Sequence, residues 1–226
     1  MKKFTFITIL VCIGAFFASA QTPSRVPAKI TPRNVPFKTV TEISDAEWSV
    51  LTAALKEEDW KQSAALAAGH LQSLTADNDK KQLAQLRYIY LFSLAGQVLA
   101  YNAQGNAVES EKVWMEVDKA MEKFINKEIV LPPRLFTTDC DKKLNVVCQV
   151  KDTPNAFRTT ATNKEGSGIH SFDYVQLDQP ADIKEFNGKA VFIGGILHRA
   201  EYNEDKSKPW VMRLFFNKGF LRVVIK

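Results

Sequence analysis

Between Asp79 and Ala103 nearly every face of a helical wheel is apolar. Leu83, Leu86, Tyr90, Leu94 and Val98 mark one face, and Ala84, Ile89, Leu91, Phe92, Ala95 and Leu99 fill most of the rest. A helix of this kind is covered on several sides. Arg87, Gln97 and the tyrosines interrupt it, so it lacks the roughly 20 uniformly apolar residues of a membrane span. The spacing predicts a central helix, with three further helices around it. Ser44 and Glu47 form a capping box for a first helix to about Lys56, with Trp48, Leu51 and Leu55 on one face. Asp59 caps a second, from Trp60 to about Leu74, with Trp60, Ala64, Ala67, Ala68 and Leu71 inward. Asp77 or Asn78 can cap the central helix, and Gln104-Gly105-Asn106 ends it. Val113, Val117, Ala120, Met121 and Phe124 give a fourth helix from about Ala107 to Asn126. Lys119, Lys123 and Lys127 near its end suit the helix dipole.

Pro132-Pro133 cannot continue a helix. From Leu135 the apolar period changes to two. Strands are predicted at Leu144–Val150, Ala156–Thr162, Gly168–Leu177, Ala190–Ala200, Trp210–Phe216 and Phe220–Ile225. Asn217-Lys218-Gly219 reads as a hairpin loop between the last two, and Pro180 to Gly188 as a short helical turn. The expected architecture is α+β: four helices over residues 43–131, then an antiparallel barrel or sandwich over residues 135–226.

Two resemblances follow from these residues. Trp48, Leu51, Thr52, Leu55 and Ala64 are spaced like the W-x2-L-G-x2-Y…A pattern of a tetratricopeptide repeat, with Thr52 in the glycine place and Leu55 in the tyrosine place. The match covers about one repeat, where an array needs about three, and the hairpin from Asp79 to Asn126 departs from it. It implies TPR-like packing and, by analogy, a groove for a peptide. The run FNGKAVFIGGIL from Phe186 resembles the glycine-punctuated curved strand of OB-like barrels.

The chain's beginning changes the picture. Lys2 and Lys3 precede an apolar run from Phe4 to Phe17 and then Ala18-Ser19-Ala20. This is the make-up of a secretory signal peptide over residues 1–20, cut between Ala20 and Gln21. Cys12 lacks the small preceding residue of a lipobox. Four prolines in residues 21–42 read as a linker or extended arm. Without residues 1–20 the formal charge falls from +5 to +3, with 28 Lys and Arg against 25 Asp and Glu. No basic stripe of the kind nucleic acid requires is present. In an exported chain Cys140 and Cys148 can form a disulfide or remain two buried thiols. Their spacing, with no paired His, is not a zinc pattern.

Signals for chemistry are sparse. There is no G-x-S-x-G nucleophile, no phosphate loop before a helix and no HExxH. His170, Asp173 and His198 would form a catalytic or metal site only if the fold brought them together. Trp60, Tyr88, Tyr90 and Tyr101 are the candidates for a peptide groove, and aromatics at helical spacing also serve as core. Arg158, Arg199, Arg213 and Arg222, interleaved with Phe157, Tyr202, Phe215 and Phe220, fit the surface of a single-strand binder. Gly194-Gly195 reads as strand curvature or as the close approach of a ligand. The reading expected from these residues is an exported, non-catalytic binding or scaffold protein in the periplasm or at the cell surface. Its partner would be an envelope protein or peptide, with no cofactor, no metal, no nucleic acid and no transmembrane segment in the mature chain. The alternatives are an exported hydrolase or small-ligand enzyme with a site between the halves, and an OB-type single-strand binder.

Overall fold

The computed structural model describes residues 42–74, 80–138, 144–166, 168–203, 205 and 210–225, with only the backbone described at residues 80, 81 and 170–172. The stretch read as a signal peptide, residues 21–41 of the proline-rich segment, Asp77, Asn78 and Cys140 lie outside the described residues. Four helices come first: α1 (Asp45–Glu57), α2 (Trp60–Ser73), α3 (Lys80–Ala103) and α4 (Ala107–Phe124). The Ser44–Glu47 capping box forms in both directions. The Asp59 carboxylate accepts from the Gln62 amide, and the Asn106 side chain from the Glu109 amide.

The apolar girdle of α3 is explained by what it touches. Leu83, Leu86 and Ile89 join Ile43, Leu51, Ala67 and Leu74 in a small cluster with α1 and α2. Leu91, Leu94, Ala95 and Val98 join the main cluster, which runs through Val117, Ala120 and Phe124 of α4 into the sheet. Leu86, Leu91, Leu94 and Val98 have no exposed surface. Small residues permit close approach. A Cβ on Gly96 would overlap the Trp60 ring, and the Ser63 and Ser93 hydroxyls meet at 2.8 Å between α2 and α3.

Among the described residues seven strands follow: β1 (Glu128–Val130), β2 (Arg134–Phe136), β3 (Val146–Val150), β4 (Thr153–Thr162), β5 (Gly168–Leu177), β6 (Ala190–Tyr202) and β7 (Met212–Val223), with a 3-10 turn at Ile183–Glu185. They form one sheet in the order β1-β6-β2-β3-β4-β5-β7, with β6 also paired to β7. The fold is thus α+β with its helices first.

Three expectations need correction. The sheet is mixed: β2 runs parallel to β3 and β5 parallel to β7. The first strand begins at Glu128, before the prolines and inside the stretch expected to be helical. Ile129 and Val130 lie opposite Gly195 and Gly194 of β6. Finally, Asn217-Lys218-Gly219 is not a hairpin loop. β7 runs through it with a bulge, marked by positive φ at Lys218 and a register shift between the Gly194–Phe220 and Ile196–Asn217 pairs. Gly219 is required there because a Cβ would overlap the Val175 side chain of β5.

Candidate functional site

The helices leave an open groove of about 440 Å3 where α2, α3 and the end of α4 meet. That volume lies in the range of about 300–1,000 Å3 typical of small-ligand sites. Its floor is apolar. Leu71, Leu74, Leu83, Tyr90 and Phe124 line it. Tyr90 is half-buried and meets Phe124 edge to face at 6.3 Å. Burial first, and then the Glu116 charge, push the Tyr90 phenol up, so it stays neutral.

One wall is basic. Lys119 and Lys123 are one helical turn apart on α4, Lys127 follows them, and Arg87 faces them from α3. Glu116 is the acid among the lining residues. Among the described residues, none of the three lysine ammonium groups is ion-paired or hydrogen-bonded. Arg87 is half-buried and donates through Nη1 to the Glu128 carbonyl at 2.7 Å. That bond uses one of five guanidinium N–H donors. Burial pulls the Arg87 pKa down and the nearby Glu128 opposes the shift.

The other anticipated residues lie elsewhere. Asp173 is fully buried on β5, and its Oδ1 accepts from the Leu214 amide at 3.1 Å. His198 is exposed on β6, one position beyond the buried Leu197. The sheet therefore keeps these two apart, one in the core and one in solvent. The backbone of His170 pairs with Ala161 and Met212. Among the described residues, no group of three or more His, Cys, Asp and Glu is placed to hold a metal.

Tyr88 belongs to a polar island at the seam between α3 and the sheet. The Arg134 guanidinium donates to the Tyr88 hydroxyl at 2.9 Å and to the Thr159 hydroxyl. Thr159 faces Asp173 across the β4–β5 ladder. Tyr88, Thr159 and Asp173 have essentially no exposure, so solvent and substrate do not reach them. Burial is the main reason that the Tyr88 phenol is pushed up to about 12, with Arg134 pulling it down and Asp173 adding to the rise.

Trp60 and Tyr88 flank Phe92, one edge-on at 5.5 Å and one stacked at 5.8 Å. Trp60 and Phe92 line a second depression, which also reaches Leu144 and Thr162. Glu57 and Glu58 hold Lys164 there, one through its ammonium and one through its backbone N–H. These acids read from sequence as solvated turn charge. Tyr101 receives Lys61 over its ring.

Four arginines looked alike in sequence, and on the outer sheet they are engaged with neighbours. Arg199 lies 3.6 Å from the Phe215 ring centre and pairs with Glu201. Arg213 packs over Trp210 at 4.2 Å, and Arg222 over Phe220 at 4.8 Å. Arg158 stands opposite Tyr174, which stacks on Phe215 at 5.2 Å. Phe157 is buried in the core. His198, Arg199 and Tyr202 border a cleft against Asp118 and Glu122 of α4. Burial first, then Asp118, pushes the Tyr202 phenol up to about 12. Gly194 and Gly195 accommodate the chain's own backbone: a Cβ would overlap the Ile129 carbonyl at one and approach the Asn217 carbonyl at the other.

The groove itself was not anticipated. Tyr90 alone among its lining residues had been singled out as a binding candidate. No known protein family matches the chain, and no curated protein or solved structure matches it.

Proposed function

We propose that this is an exported, non-catalytic binding protein whose ligand lies in the groove between α2, α3 and α4. The observation that carries this reading is the apolar floor beside Lys119, Lys123 and Lys127, whose ammonium groups have no partner among the described residues. The separation of Asp173 from His198 gives no support to a hydrolase built on them. The pairing of Arg199 and Arg213 with Glu201, and the rings beneath them, weigh against a phosphate-binding sheet face.

Within this proposal residues 1–20 are a signal peptide, and the mature chain begins at Gln21 in the periplasm or at the cell surface. The described strands pair in the cycle β2-β3-β4-β5-β7-β6 and back to β2. That cycle, with its parallel β5–β7 pair and the 3-10 turn before β6, supports a small closed barrel of OB-like order. Cys148 is disulfide-bonded, and we assign Cys140 as its partner.

The binding test uses anilinonaphthalene sulfonate, an anionic aromatic dye, on the full chain. Its fluorescence should rise saturably on the native protein and fail to rise on Leu71→Glu. A Leu71→Glu variant that keeps its circular dichroism and its full dye response would refute the groove as the binding seat. Amino-terminal sequencing of the protein from a fractionated cell tests the address: an intact Met1 in the cytoplasmic fraction overturns export.

A further inference from the structure

We infer that the groove takes a single-chain amphiphile with an anionic head, of the acyl carboxylate class. This inference rests on the groove being the binding seat and adds the chemistry of its occupant. The floor offers no charge to a tail: Leu71, Leu74, Leu83 and Phe124 are hydrocarbon, and Tyr90 keeps its proton. Among the described lining residues the basic side chains Arg87, Lys119, Lys123 and Lys127 outnumber the one acid, Glu116, so the wall favours an anion over a cation.

Lysines near a helix end are often there only to balance the dipole. Arg87 is not explained that way. It sits in the second turn of α3, half-buried, with a single hydrogen bond to protein. A half-buried guanidinium with donors to spare is suited to a carboxylate, which can accept two parallel N–H bonds. The helical wall from Glu116 to Phe124 extends roughly 12 Å at the rise of a helix, with Lys127 just beyond it, so a linear chain can lie along it while its head stays at the basic end.

The chain's own proline-rich arm is a poor occupant. Residues 21–41 carry Arg25, Lys29, Arg33 and Lys38 and no acid. A basic arm is repelled by a basic wall.

The test is competition against the bound dye on the full chain, with dodecanoate, dodecanol and dodecyltrimethylammonium as probes. Dodecanoate should displace the dye at least tenfold more effectively than either of the others. Its advantage should fall about tenfold in Arg87→Gln and again in Lys119→Gln/Lys123→Gln. The lysine pair lies on an exposed helix face, so it tests the idea even if Arg87→Gln misfolds. Equal displacement by dodecanoate and dodecanol overturns the anionic head while leaving the groove as a binding seat. Tighter binding of the ammonium probe overturns it as well. A dye response that survives Leu71→Glu removes the groove reading itself, and this inference with it.

Discussion

Two sets of cations divide this protein. Arg134, Arg199 and Arg213 on the sheet side each rest on an aromatic ring, bond a hydroxyl or pair with a carboxylate. Lys119, Lys123 and Lys127 on the helical side do none of these among the described residues, and Arg87 makes one bond to a carbonyl. The first set is part of how the sheet holds its shape. The second makes few such contacts, and in the proposed reading it serves a ligand instead. Charge counts cannot separate the two, because a residue's availability is set by its neighbours in space.

The sharpest way to break this division is to remove an engaged cation. Arg134→Ala strips partners from the buried Tyr88 and Thr159 hydroxyls, and unsatisfied buried groups of this kind cost about 2–4 kcal/mol in total. Thermal unfolding should shift down by roughly 5–12 °C for a chain of this size. A shift near zero would place Arg134 with the available set.

The partner of Arg134 supplies a pH test. The Tyr88 phenol is raised from 10.0 to about 12, so folding favours its protonated form. That contribution is complete below pH 10 and is lost as pH rises from 10 through about 12. Phenolate absorbance should show late ionisation, near pH 12, from Tyr88 and Tyr202. Tyr88→Phe should delete one late step.

Smaller effects follow on the outer sheet and on the wall. Arg199→Ala loses its ring contact and its pairing with Glu201, for about 0.5–1 kcal/mol, read as a modest fall in denaturant midpoint. Lys119→Gln/Lys123→Gln should stay within about 0.5 kcal/mol of the native chain. A larger loss there would make the wall structural and blur the contrast between the two sets.

Much of the helical half could be read from local chemistry. Ser44 and Asp59 act within a few residues of themselves, so their caps are visible in the sequence, and the girdle of α3 announced its burial on several sides. The three-residue strands β1 and β2 were not legible, because a strand so short carries too little alternation and owes its existence to β6. The Asn217-Lys218-Gly219 turn chemistry was real, but neighbouring strands turned it into a bulge. The groove was hidden for a different reason. It depends on how three helices diverge, and each of its walls looks alone like an ordinary amphipathic surface.

One consequence concerns the order in which the molecule can be assembled. β7 bridges β5 and β6, and it reaches β5 by a parallel pairing that joins Tyr174 to Phe215. Contacts so distant along the chain form slowly, whereas helical hairpins form early. During biogenesis the sheet-facing side of α3 therefore stays uncovered until β1 and β5 pack on it. A newly made chain spends that interval sticky, and its yield should depend on a holdase that shields α3 more than on any sequence in the sheet.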